Sequence, residues 1–223
     1  KRQKSRRRDD MAAKMRDVDP VKFSNARSSL PYDAYEKIAH LMAIEDDPLL
    51  HVMFVWQWNC IARVANIQTV SFNHMEWVDD HLSTRWSKSK KDQEGKRSFN
   101  IAIMANRYDW KLCPITALAI WLSCNTITGN ALFPGSSQNK RYGDNLKRYL
   151  NREDIKSKLQ EFRALLLGTH SSRKGATNHA AQSGLCADVL IAVLLRGQWD
   201  IGNTLTRYFN LNQAADAMIA RLL

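Results

Sequence analysis

The run from Pro48 to Val70, PLLHVMFVWQWNCIARVANIQTV, constrains this chain more than any other stretch. Asp46-Asp47-Pro48 reads as a helix start, an aspartate cap followed by proline in the first turn. The residues beyond it are apolar on nearly every side of a helical wheel, so most of this helix must be buried and the rest of the chain must wrap it. The run also contains Arg63, with nothing acidic within four positions. A guanidinium held among apolar side chains needs an anionic partner. That partner is either distant in sequence or a ligand.

Other segments supply the wrapping. In PYDAYEKIAHLMA, after Leu30, helical spacing puts Tyr35, Ile38, Leu41 and Met42 on one face. Residues 81–90 and 97–105 have an extended character and read as a hairpin whose tip, KKDQEGK, is polar and basic. Cys113-Pro114 opens a further buried helix, ITALAIWLSC, whereas TGNALFPGSSQNKRYG reads as loop. Helices are expected over 170–182, 186–195, 199–209 and 211–222. The sum is a mainly α fold with a small antiparallel β-sheet (α+β). Residues 1–29 read as a basic N-terminal linker or tail and residues 30–223 as one domain.

Charge narrows the partner. With 33 Lys and Arg against 22 Asp and Glu, the formal net charge is +11. Such an excess favours polyanions, nucleic acid first and an anionic membrane surface second. KRQKSRRR at the N-terminus carries six of these charges in eight positions, among them Arg6, Arg7 and Arg8. No apolar run of eighteen residues and no signal-peptide pattern occur, so no membrane partner is expected. The chain begins at Lys1 rather than methionine, as a piece of a longer protein would. Cys60, Cys113, Cys124 and Cys186 form no C-x-x-C pair, which argues against zinc and for buried, reduced thiols.

THSSRKGA (169–176) places His170 and Arg173 three apart, on one face of a helix that Thr169 would cap. An anion at that helix start would meet backbone N–H groups, an imidazole and a guanidinium together. Arginine's planar fork can hold two phosphate oxygens at once. Taken alone, H-x-x-R also suits a solvent-exposed polar turn, and Trp199 and Tyr208 in GQWDIGNTLTRYF also suit core packing.

In order, these residues resemble a family. Arginine, hairpin lysine, H-x-x-R, tryptophan and tyrosine look like the catalytic domain of tyrosine recombinases. The nearest likeness is to the recombinases of Crypton-type eukaryotic DNA transposons. SKKDQEG (89–95) is similar to their lysine-turn motif, and IMAN…CPITALAIWL (103–122) to the stretch after it. HSSRKGA and RGQWDIGNTLTRYF resemble the last two boxes, and the likeness covers roughly residues 30–223.

The resemblance implies a DNA recombinase or transposase acting in the nucleus, with Arg63, Lys90, His170, Arg173, Trp199 and Tyr208 as its catalytic set. Tyr208 would attack the scissile phosphodiester, leaving a 3′-phosphotyrosyl bond and a free 5′-hydroxyl. The link keeps the bond energy for rejoining, so neither ATP nor any other cofactor is implied. Arg63 and Arg173 would hold the non-bridging oxygens, and His170 would assist proton transfer or hydrogen-bond the same phosphate. Trp199, where many relatives carry histidine, can donate through its indole N–H but cannot act as acid or base.

A hairpin lysine would protonate the leaving 5′-oxygen. Lys88, Lys90 and Lys91 compete for this, and the spacing to Asp92-Gln93 favours Lys90. Lys88, Lys91 and Lys174, with Arg6, Arg7 and Arg8, would contact double-stranded DNA, on which the protein would self-associate as dimer or tetramer. No metal is implied. One departure is Asn66, where many tyrosine recombinases place an acidic residue. Two alternatives stay open: a non-catalytic DNA-binding domain descended from such an enzyme, and a type IB topoisomerase-like enzyme.

Overall fold

The structure is a computed structural model that describes residues 28–45, 47–86, 100–157, 159, 167–182, 187–199, 219–221 and 223. Among these, the helices are α1 (Tyr32–Ile44), α2 (Pro48–Asn59), α3 (Val64–Ile67), α4 (Pro114–Cys124), α5 (Gln138–Leu150), α6 (Glu153–Lys156), α7 (Thr169–Gln182) and α8 (Ala187–Arg196). The strands are β1 (Met75–Val78), β2 (His81–Thr84) and β3 (Ile101–Ile103), preceded by a 3₁₀ turn at Phe72–His74. The fold is mainly helical with one three-stranded antiparallel sheet, as expected.

Helix α2 is the axis. Every residue from Leu50 to Asn59 is buried, and α1, α4, α5 and α7 all pack on it. Asp47 accepts a hydrogen bond from the Leu50 amide, with Pro48 beside it, so this helix starts where the sequence predicts. Two indoles link α4 to its surroundings. Trp56 donates to the Pro114 carbonyl at 2.9 Å and Trp121 to the Leu132 carbonyl at 3.0 Å. Cys113 Sγ caps α4 by accepting from the Thr116 amide at 3.3 Å.

The sheet has the order β1-β2-β3, with Leu82 opposite Ile103 and Thr84 opposite Ile101. The expected hairpin is therefore present at its base. Its tip, with Lys88, Lys90 and Lys91, lies outside the described residues, as do Arg6, Arg7, Arg8 and Tyr208. No helix of the described residues is long and apolar enough to cross a membrane.

Several expectations need correction. Helix α2 does not continue to Val70. It ends at Asn59, and Ile61 takes a left-handed backbone conformation (φ 48°) that breaks the run. Gln138 to Gly143, read as loop, forms the first half of α5, whose buried stripe is Gln138, Tyr142, Leu146, Tyr149 and Leu150. Helix α4 buries one face only, Pro114, Ala117, Leu118 and Trp121. Cys60 and Cys113 are buried, but Cys124, at the open end of α4, is exposed.

Candidate phosphate-binding site

Arg63 is not a helix-interior residue. After Asn59 the chain reverses through Cys60 and Ile61, and the Ile61 and Ala62 amides donate back to the carbonyls of Trp58 and Gln57. Arg63 is extended (φ −79°, ψ 148°) and its carbonyl caps α3, taking the amides of Asn66 and Ile67. The turn takes Arg63 out of the fully buried run of α2 and leaves it half-buried. Asn66 is itself buried one turn into α3.

Gln57, fully buried, ties this turn to the second arginine's helix. Its amide nitrogen donates to the Ala62 carbonyl at 3.3 Å and the Thr169 carbonyl at 2.6 Å. Its oxygen accepts from the Tyr142 hydroxyl at 2.5 Å. Thr169 is thus the first helical residue of α7 rather than its cap, and Gly168 precedes it. Gly168 and Ser171 bond reciprocally, the Gly168 amide to Ser171 Oγ at 3.0 Å and the Ser171 amide to the Gly168 carbonyl at 2.8 Å.

One turn further, Arg173 is buried, 6% exposed, while His170 and Lys174 are exposed. Its guanidinium donates to the Gly197 carbonyl and lies 4.2 Å from the centroid of the Trp199 ring. Trp199 is half-buried in the turn after α8, its amide bonded to the Leu194 carbonyl. A glycine is required at 197, because a Cβ there would enter the Trp199 indole. Gly175 is required for a different reason. A Cβ would run into the Leu30 carbonyl and come within 2.7 Å of the Trp58 ring.

Electrostatics join the two arginines. Burial, and after it the like charge of Arg63, pull the Arg173 pKa down to about 10. Among the described residues no carboxylate stands within ion-pair distance of either. Two cations drawn together with one of them desolvated form an unfavourable pair that a bound anion relieves. A phosphate oxygen pair fits the forked donors.

The structure therefore holds Arg173 against Trp199, places Arg63 near enough for its charge to act on Arg173, and leaves His170 exposed on the same helix. Sequence reasoning missed Gln57, Arg196 and Gly197. Arg196 carried the same signal as Arg63, a cation closing an apolar run (DVLIAVLLR), and could have been found that way. A separate group, Glu36, His40 and Asp109, brings one potential ligand atom each within 4.8 Å. It lies by the opposite end of α2, where His51 bonds the Lys111 carbonyl, and His40 and Asp109 already pair at 2.5 Å.

The fold is that of the tyrosine recombinase catalytic domain. The chain is similar to a Flpe–Holliday junction complex, with TM-score 0.59 and 15% identity over 84% of this chain and 50% of that one. It is also similar to an FLP recombinase–Holliday junction complex (TM-score 0.60, 14% identity, 84% and 49% of the two chains). XerA recombinase matches with TM-score 0.50 and 16% identity over 88% and 65%. The chain spans about half the length of the Flp structures it matches. No protein-family model matches it, and no curated protein matches it in sequence.

Proposed function

We propose that this chain is a DNA strand-exchange enzyme that cleaves and rejoins double-stranded DNA through a 3′-phosphotyrosyl intermediate, without metal or ATP. The observation that carries the reading is the buried Arg173, held by Gly197 and Trp199 and feeling the charge of Arg63, with no carboxylate among the described residues to neutralise it. Such a centre suits the extra negative charge of a pentavalent phosphorus better than it suits an empty protein. The fold shared with Flp and XerA recombinases supports the same chemistry, and the Holliday-junction complexes among them support DNA as partner.

In this reading Arg63 and Arg173 clamp the non-bridging oxygens. Trp199 keeps the Arg173 fork in plane and shields it from water. Tyr208 Oη attacks phosphorus, the bond to the 5′-oxygen breaks, and Lys90 delivers the proton to that leaving oxygen. His170, at the exposed edge of α7, hydrogen-bonds the phosphate or relays a proton. Lys88, Lys91 and Lys174 with the N-terminal arginines contact the DNA backbone. Assembly of two or four copies on DNA, a Crypton-type transposition role and nuclear action extend the same proposal.

The test is a nicked suicide duplex carrying a site obtained by selecting random DNA on the protein. A covalent protein–DNA adduct is expected. Tyr208→Phe should abolish it while keeping DNA affinity within about twofold, because only a hydroxyl is lost. Tight binding with no adduct from the unmodified chain would instead identify a DNA-binding domain without chemistry. Relaxation of supercoiled DNA by isolated monomers would identify a topoisomerase.

A further inference from the structure

We infer that Arg196 is a positioning residue for the phosphate centre, one buried guanidinium that sets the mutual placement of the three segments around it. The inference rests on the reading of Arg63 and Arg173 as that centre. Arg196 is the last residue of α8 and is 1% exposed. Its Nε and Nη2 donate to the Asn59 carbonyl at 3.1 and 2.9 Å, and Nη2 donates also to the Ala102 carbonyl at 2.6 Å.

Each attachment leads to a part of the site. Asn59 ends α2, four residues before Arg63, and its carbonyl is one of the last four that a helix leaves without an internal partner. A cation there also meets the negative end of the helix dipole. Ala102 is the middle residue of β3, opposite Ser83, in the strand pair whose connecting sequence carries Lys88, Lys90 and Lys91. On the other side, Gly197 follows Arg196 directly and gives its carbonyl to Arg173, with Trp199 two residues beyond.

Chemistry explains why an arginine does this. A buried guanidinium carries a desolvation cost that an apolar side chain of the same volume would avoid, so it is a poor choice for stability alone. Its donors have fixed angles, and charge-assisted bonds to two carbonyls lock segments that apolar packing would allow to slide. The Arg63 turn, the hairpin and the Arg173 support are then set by one rigid group. A lysine at 196 would keep the charge but could not span both carbonyls in that geometry.

The experiment measures inorganic phosphate binding to the full chain, from the rise of the thermal midpoint with phosphate at constant ionic strength. Arg196→Met and Arg196→Lys should each weaken phosphate binding about tenfold or more, the scale on which groups that orient metal ligands act. Phe133→Leu, a core change between Trp56 and Trp121, should lower the midpoint yet keep the phosphate affinity of the parent. Unchanged phosphate affinity in the Arg196 variants would reduce Arg196 to a strut and overturn the inference.

If the parent midpoint ignores phosphate and Arg173→Gln alters nothing, the phosphate-centre reading itself fails, and this inference with it. If neither Arg196 variant folds, nuclear magnetic resonance of the unmodified protein decides. The Arg196 Nε–H signal should move with the same phosphate midpoint as that of Arg173. A stationary Arg196 signal would overturn the inference.

Discussion

Arg173 and Trp199 form one unit: the guanidinium lies 4.2 Å from the centroid of the indole, and the same guanidinium donates to the carbonyl of Gly197. The ring shields one face of the cation, so the fork can turn its remaining donors only away from the ring. Trp199→Phe keeps a smaller aromatic face and should hold adduct formation within about tenfold of the parent. Trp199→Ala loses the face and should slow it about 30-fold, the equivalent of the ~2 kcal/mol that a desolvated cation–π contact contributes. Arg173→Ala should slow it roughly 10²–10³-fold, as expected for a lost oxyanion donor. Single-turnover adduct formation at saturating protein measures all three.

Gly175→Ala tests packing rather than chemistry. The added methyl meets the Leu30 carbonyl and the edge of Trp58, and neither can retreat. Trp58 stacks on Tyr35 at 4.0 Å, and Leu30 is anchored by its amide to the Ser171 carbonyl. A loss of about 3 kcal/mol is expected, at the upper end for an overpacked core. Urea denaturation reads it directly, and a loss below the error of the fit would contradict the close approach.

His51 gives the pH dependence. It is 1% exposed, Nε2 contacts the Lys111 carbonyl at 2.7 Å, and burial lowers its pKa. The unfolded chain, with a histidine pKa of about 6.5, therefore takes up its proton first as pH falls. Stability from His51 is complete above about pH 6.5 and declines as pH falls from there through the folded-state value. His51→Gln, which can still donate to Lys111, should flatten part of that decline. His179, lowered by burial as well, accounts for a further part. Denaturation curves at pH 7.5, 6.5 and 5.5 separate the variants, and parallel declines would exclude His51.

The N-terminal charge should act on binding and not on chemistry. Deleting KRQKSRRR should reduce the salt dependence of DNA affinity by several units of slope, at about 0.9 per phosphate neutralised. Adduct formation on already bound DNA should survive the deletion, because none of the proposed catalytic residues lies before Arg63. Affinities at several salt concentrations, beside single-turnover adduct rates, check both halves. Normal binding without cleavage would assign the tail to the active site.

Local chemistry was legible where side chains announce it. Asp47-Pro48 and Cys113-Pro114 begin helices as read, because a cap acceptor and a ring-fixed φ are properties of those residues. The end of α2 was not legible. Its left-handed residue is Ile61, not the glycine or asparagine that normally marks such a turn, and tertiary packing holds it there. Thr169 was misread as a cap because the polar group that closes that turn is Ser171 Oγ, two residues on. The helix that carries both His170 and Arg173 was legible, but not that one is exposed and the other buried, because that difference depends on α8 and the Gly197 turn, which no local pattern reveals.

Gln57 and Arg196 both direct their donors at main-chain carbonyls, those of Ala62, Thr169, Asn59 and Ala102. A main-chain acceptor is the same whatever residue bears it. Substitution on the receiving side is therefore silent, while substitution on the donating side is not. Over long divergence the acceptor positions can drift freely, and no paired change ever records the contact. Two chains can in this way share one scaffold at 14–16% identity, and co-varying positions would leave contacts of this kind unseen.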